Sequence, residues 1–174
     1  MFTMRSILLA LFVTTGVPMW AAQLRVRGTV TEHGDRIPMS GVLVRIYKDG
    51  IKQHVFTTDN SGRYNVKLDN NANYVIRFSG EGLVTKSFAI DTHGPEWEDD
   101  STVKDLEVEM TMFEKVPGLD LSFFDLPMGM AKFTPMTGMI AWNATYEERV
   151  RPEVDRLMAE IAMRREQVAA LIRK

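Results

Sequence analysis

The sequence predicts a mainly β fold: a seven-stranded antiparallel, immunoglobulin-like sandwich, followed by an irregular apolar segment and a C-terminal amphipathic α-helix. Three observations predict it. Between Leu24 and Met112, short segments alternate apolar and polar residues, with turn-forming residues between them at the spacing of a two-sheet sandwich. From Phe113 to Trp142 the chain is rich in proline, methionine and phenylalanine and keeps no period. Beyond Thr145 apolar residues recur at helical spacing.

The chain opens with Met1-Phe-Thr-Met-Arg5 and the apolar run Ile7 to Val13, a charged n-region and an h-region too short to span a bilayer as a helix. Residues 1–22 therefore read as a signal peptide, with cleavage near Ala21-Ala22-Gln23. The mature chain is expected to be exported, to the periplasm, the outer membrane or the cell surface.

The sandwich is expected over residues 23–112. Its first strand, Leu24 to Thr31, puts Leu24, Val26 and Val30 on one face and Arg25, Arg27 and Thr29 on the other. Val42 to Lys48 and Lys52 to Thr57 follow, joined through Asp49-Gly50, a dipeptide suited to a tight hairpin. Arg63 to Leu68 points Tyr64, Val66 and Leu68 inward, and the polar turn 69–73 leads into Tyr74 to Ser79. Thr85 to Asp91 and Asp105 to Met112 complete the set, the last opposing Leu106, Val108, Met110 and Met112 to Asp105, Glu107, Glu109 and Thr111. Gly28 lacks a side chain where a neighbouring segment must approach closely, and Asp59-Asn-Ser-Gly62 forms the turn into Arg63.

Residues 113–144 form an apolar extension broken by Pro117-Gly118, Pro127 and Pro135, too apolar to be a solvated linker. Residues 145–174 form the helix, with Thr145-Tyr-Glu-Glu148 as a capping box and Pro152 as a kink or a late start. Its apolar positions are Val150, Val154, Leu157, Met158, Ile161, Val168, Leu171 and Ile172.

Composition narrows the function. The 174 residues contain no cysteine, which excludes disulfides, thiolate metal sites and a cysteine nucleophile. A formal net charge of −2 supplies no basic stripe for phosphates, so nucleic acid is not an expected partner. His33, His54 and His93 have no imidazole partner at metal-binding spacing, and the acidic run Glu96, Glu98, Asp99 and Asp100 reads as solvated charge; no cofactor or metal is expected.

Four runs carry a family resemblance: Val26-Arg-Gly-Thr-Val30, Ile37-Pro-Met-Ser-Gly-Val-Leu-Val44, Thr57-Thr-Asp-Asn-Ser-Gly-Arg-Tyr64 and Tyr74-Val-Ile-Arg-Phe-Ser-Gly-Glu-Gly82. In this order they resemble the carboxypeptidase regulatory-like domain, of the transthyretin-like or prealbumin-like β-sandwich group, over about half of the chain. The stretch Phe78 to Pro95 is similar to the version found in exported envelope proteins of Bacteroidetes. The resemblance implies an accessory, assembly or adhesion role in a cell envelope. The clustered histidine and arginine residues of the transthyretin-like hydrolases that act on hydroxyisourate have no counterpart here, and no enzyme activity is expected.

The candidate site is therefore an interface. Methionine and aromatic side chains adapt to partner surfaces, which selects Phe123, Phe124, Met128, Met130, Phe133, Met136 and Trp142 of the extension and Leu157 and Ile161 of the helix as contacts for an envelope protein partner. The same apolar residues also suit wrapping over the chain's own sandwich. Two alternatives stand beside partner binding: a structural, self-assembling envelope subunit, and a carbohydrate- or peptide-binding sandwich using Tyr47 and Trp97. Homo-oligomer formation and peripheral membrane association are both left open.

Overall fold

A computed structural model of the chain describes residues 23–94, 103–134 and 139–172. The signal peptide, the acidic run with Trp97, and Met136 lie outside the described residues. Among the described residues, ten strands form two sheets: β1 (Gln23–Glu32), β2 (Leu43–Lys48), β3 (Ile51–Thr57), β4 (Arg63–Asp69), β5 (Asn73–Ser79), β6 (Lys86–Asp91), β7 (Val103–Glu107), β8 (Met110–Met112), β9 (Pro127–Thr134) and β10 (Met139–Trp142). A 3₁₀ turn, Ser122–Asp125, precedes β9, and the helix α1 (Ala144–Ile172) follows β10.

One sheet has the order β4-β1-β7, with β8 also paired to β1; the other has the order β10-β9-β6-β5-β2-β3. Side chains buried between them, among them Val26, Val44, Ile46, Tyr64, Ile76, Phe78, Phe88 and Ile90, form the main core. Alternation brings the apolar positions to it, most cleanly in β4, where Tyr64, Val66 and Leu68 are buried and their neighbours exposed. Asp49 and Gly50 both take positive φ, 50° and 79°, the conformation of a type I′ hairpin between β2 and β3. The Asp59 carboxylate accepts from the backbone N–H groups of Ser61 and Arg63, both at 2.8 Å, and fixes the turn into β4.

Three expectations are corrected. The seventh segment is split into β7 and β8, and both pair with β1 in parallel, so the sandwich is mixed rather than wholly antiparallel. The split occurs where Val108 seats its backbone on Gly28: its N–H donates to the Arg27 carbonyl at 2.9 Å, and its carbonyl accepts from the Tyr64 hydroxyl at 2.8 Å. The extension is not irregular throughout. It returns to the second sheet as β9, parallel to β6, and turns back as β10, so the sandwich gains two strands. The helix is capped by Asn143 rather than Thr145, because the Asn143 side-chain oxygen accepts from the Tyr146 N–H at 3.0 Å. Pro152 lies inside α1 at an exposed position, and Glu148, whose carbonyl loses its helical donor, is exposed as well.

A second, smaller cluster closes one end of the sandwich. Val84, ahead of β6, and Phe113, after β8, meet Phe124 of the 3₁₀ turn and Leu157 and Ile161 of α1. Lys86 bridges the two cores. Its side chain is 9% exposed, its ammonium donates to the Thr111 carbonyl at 2.8 Å, and it lies 5.5 Å from the Phe113 ring centroid.

Among the described residues no carboxylate pairs with Lys86, and burial pushes its ammonium down to about 8, with Arg36 repelling it further. The unfolded chain, in which lysine titrates near ~10.4, therefore binds more protons than the folded one between these values, and stability rises with pH across that window. We expect about 2 kcal/mol of added unfolding free energy between about pH 7.5 and about pH 9.5. Urea titrations at both pH values should show this slope in the native chain and lose it in Lys86→Met. Above pH ~10 the buried Tyr64, whose hydroxyl is pushed up by desolvation, opposes the trend.

Candidate partner-binding surface

The apolar residues singled out in the extension and the helix are sorted by the fold into core and surface. Phe124, Phe133, Leu157 and Ile161 are at most 2% exposed, so their apolar area is spent within the chain and they belong to the core rather than to an interface. Trp142 is half-buried against the main core, its ring edge-on to Phe88 at 5.9 Å. Phe123 and Met128 are half-buried against the second cluster, and Met130 points outward from β9, 37% exposed.

The surface left open lies further along the helix. Val150, Val154, Leu157, Met158 and Ile161 recur at helical spacing and pack on the body. The same stripe continues through Val168 and Ile172, with Leu171 beside it, yet every residue from Ala162 to Ile172 is exposed, Leu171 by 72% and Ile172 by 80%. Between this overhang and the segment after β8 runs a groove of about 320 Å³, lined by Val116, Pro117, Val168 and Ile172 and rimmed by Lys115, Arg164 and Arg165. Arg165 reaches across the groove to the Glu114 carbonyl at 3.4 Å. On the other side of Val116 and Pro117 a second open cavity of about 410 Å³ is lined by Val84, Leu119 and Leu121.

Val168, Leu171 and Ile172 belong to the stripe visible in the sequence, but nothing there separates them from Leu157 and Ile161. The signal that does so is length: 29 residues of helix rise by about 44 Å, more than a small sandwich can cover. Arg164 and Arg165, which interrupt the stripe, mark where the cover ends.

Among the described residues no three histidine, aspartate or glutamate side chains converge as metal ligands. His93 is held by Asp91 at 2.7 Å, His54 stands exposed on β3, and His33 sits edge-on to Phe113 at 6.1 Å, each on a different element. No helix among the described residues is long and apolar enough to cross a membrane.

Two packed sheets with a docked helix define a mainly β sandwich module. Residues 25–107 match the carboxypeptidase regulatory-like domain, a family of non-catalytic modules. No curated protein matches the chain. Solved structures similar to it include the Bacillus anthracis TIE protein, at 15% identity and a TM-score of 0.44 over 53% of this chain and 18% of that one. Catechol 1,2-dioxygenase from Acinetobacter sp. ADP1 is similar at 14% identity and a TM-score of 0.43, over 60% of this chain and 57% of that one. The chain thus spans less than two thirds of either structure.

Proposed function

We propose that this chain is a non-catalytic, exported binding or assembly module of the bacterial cell envelope, which holds a protein partner on the overhang of α1 and the adjoining groove. The observation that carries the reading is the apolar stripe that packs the helix through Ile161 and then continues, exposed, onto Val168 and Ile172. Exposed aliphatic side chains at successive helical turns are the usual means by which a helix seats in a partner's groove. Phe123 and Met128, half-buried against the end cluster, supply adaptable contacts beside the docked part of the helix. The charged and apolar leader of residues 1–22 supports export.

The test separates binding from folding. Removal of residues 163–174 takes away only exposed positions among those described and is expected to change stability by less than about 0.5 kcal/mol. A photo-crosslinking residue in place of Val168 should give a protein adduct in envelope preparations, and the Ile172→Asp variant should abolish it at unchanged melting temperature. Adducts only to other copies of the chain, with a dimer mass in light scattering, would replace partner binding with self-assembly. A truncated chain that keeps its partner would refute the site.

A further inference from the structure

The outer face of the six-stranded sheet carries an arrangement that the helix surface does not use. Antiparallel pairing sets Arg45 of β2 directly opposite Arg77 of β5, and Arg77 directly opposite Ser87 of β6. One residue along, Ile46, Ile76 and Phe88 fill the core, so Arg45, Arg77 and Ser87 share the outward face. Like charges directly opposite one another across a sheet repel, and among the described residues neither arginine has a carboxylate at ion-pair distance. Arg45 instead donates to the Ser79 hydroxyl at 2.7 Å.

Among the described residues, two polar atoms in this row have no hydrogen-bond partner: Arg77 Nε and Ser87 Oγ, both closed to solvent, on residues paired with each other. A docked ligand therefore meets the half-buried Arg45 and Arg77 guanidinium groups rather than these two atoms. The adjoining row on the same face is apolar: Tyr47, Val75, Ala89 and Met130 lie side by side across four strands.

We propose that this face binds an acidic, otherwise apolar segment of a partner protein. A carboxylate of that segment sits between Arg45 and Arg77, accepting from the guanidinium N–H groups of these half-buried side chains. Its apolar neighbours lie along Tyr47, Val75 and Met130. Charge complementarity selects this occupant: planar carboxylates match paired guanidinium groups, and the apolar row one strand step away suits aliphatic side chains. A second copy docked by the same face would set arginine against arginine. A sugar ring would bring several hydroxyls to a row whose one polar tip is that of Tyr47.

The site stands apart from the helix overhang, so a chain lacking residues 163–174 is expected to retain it. The experiment is a titration of the isotopically labelled chain with the capped peptide Ac-Leu-Glu-Leu-NH2, following the Nε–H resonances of Arg45 and Arg77 and the backbone amides of Val75 and Ala89. Saturable shifts of both arginine signals are expected, at least about tenfold weaker with the Gln-for-Glu peptide and at least about tenfold weaker in Arg45→Gln and Arg77→Gln. Arg45→Gln keeps the test decisive if Arg77→Gln unfolds, because the Arg45 side chain is half-exposed. Equal binding of both peptides, or no shift, overturns the proposal. So do arginine shifts produced as strongly by acetate or phosphate alone, by phosphatidylglycerol vesicles, or by raising protein concentration without ligand.

Discussion

Gly28→Ala is expected to destabilise the chain by about 4 kcal/mol, the largest effect of a single methyl group anywhere in the sandwich. A Cβ built on Gly28 falls 1.7 Å from the Val108 carbonyl oxygen and 2.7 Å from its carbon, and both are backbone atoms that cannot swing aside. Relief requires the junction between β7 and β8 to lift from β1. That motion breaks the Val108 N–H bond to Arg27 and withdraws the acceptor of the buried Tyr64 hydroxyl. Each loss costs about 1 kcal/mol or more, and overpacking adds about 1–3 kcal/mol. Gly41→Ala is the matched control, since Gly41 has φ +73° with nothing within 4 Å, and it should lose only about 1 kcal/mol from backbone strain. Urea denaturation of both variants measures the difference. A Gly28→Ala loss no greater than the control's would mean that the Val108 junction is not seated where the structure puts it.

The same junction explains what the sequence makes legible. Leu106, Val108, Met110 and Met112 alternate without a break, and alternation reports which face is buried, not whether a strand is continuous or which neighbour it joins. The division into β7 and β8, and their parallel pairing with β1, depend on a backbone contact at Gly28 that leaves no side-chain period. Residues 24–91 were legible because β1, β2, β4 and β5 alternate buried and open positions and the turns carry Asp-Gly, Asp59 and Gly62 chemistry. β9 was hidden for a related reason. Its inward positions Ala131 and Phe133 alternate with Met130 and Lys132, but the prolines and the shift in pairing against β6 between Ser87 and Ala89 blur the period.

The candidate surface was half legible. Methionine and aromatic content pointed to the extension, yet composition does not distinguish Phe124, which is core, from Met130, which is surface. The arginine pair of the outer sheet face was invisible for another reason. Arg45 and Arg77 are far apart in sequence, and only the β2–β5 register brings them together.

Phe124→Ala is expected to remove about 4 kcal/mol from the docking of α1 while leaving the sandwich folded. Phe124 is 1% exposed, its ring lies edge-on to Phe113 at 5.1 Å, and it shares the end cluster with Val84, Leu157 and Ile161. The 3₁₀ turn that presents it is short: Asp120 accepts from the Ser122 N–H at 2.9 Å, and Leu121 accepts from the Phe124 N–H at 3.1 Å. None of the main-core contacts passes through it. The loss should therefore appear as local opening, with hydrogen-exchange protection of residues 150–161 falling by about two orders of magnitude or more while β4 and β5 keep theirs. Uniform loss across both regions would show instead that the two cores fold as one unit. For function the variant separates two requirements, because the groove between Val116 and Val168 exists only while the helix is docked. Phe124→Ala should lose partner adducts by undocking α1, and Ile172→Asp should lose them with α1 still protected. If undocking left the adducts intact, the overhang alone would be the recognition element and the groove beside it would be incidental.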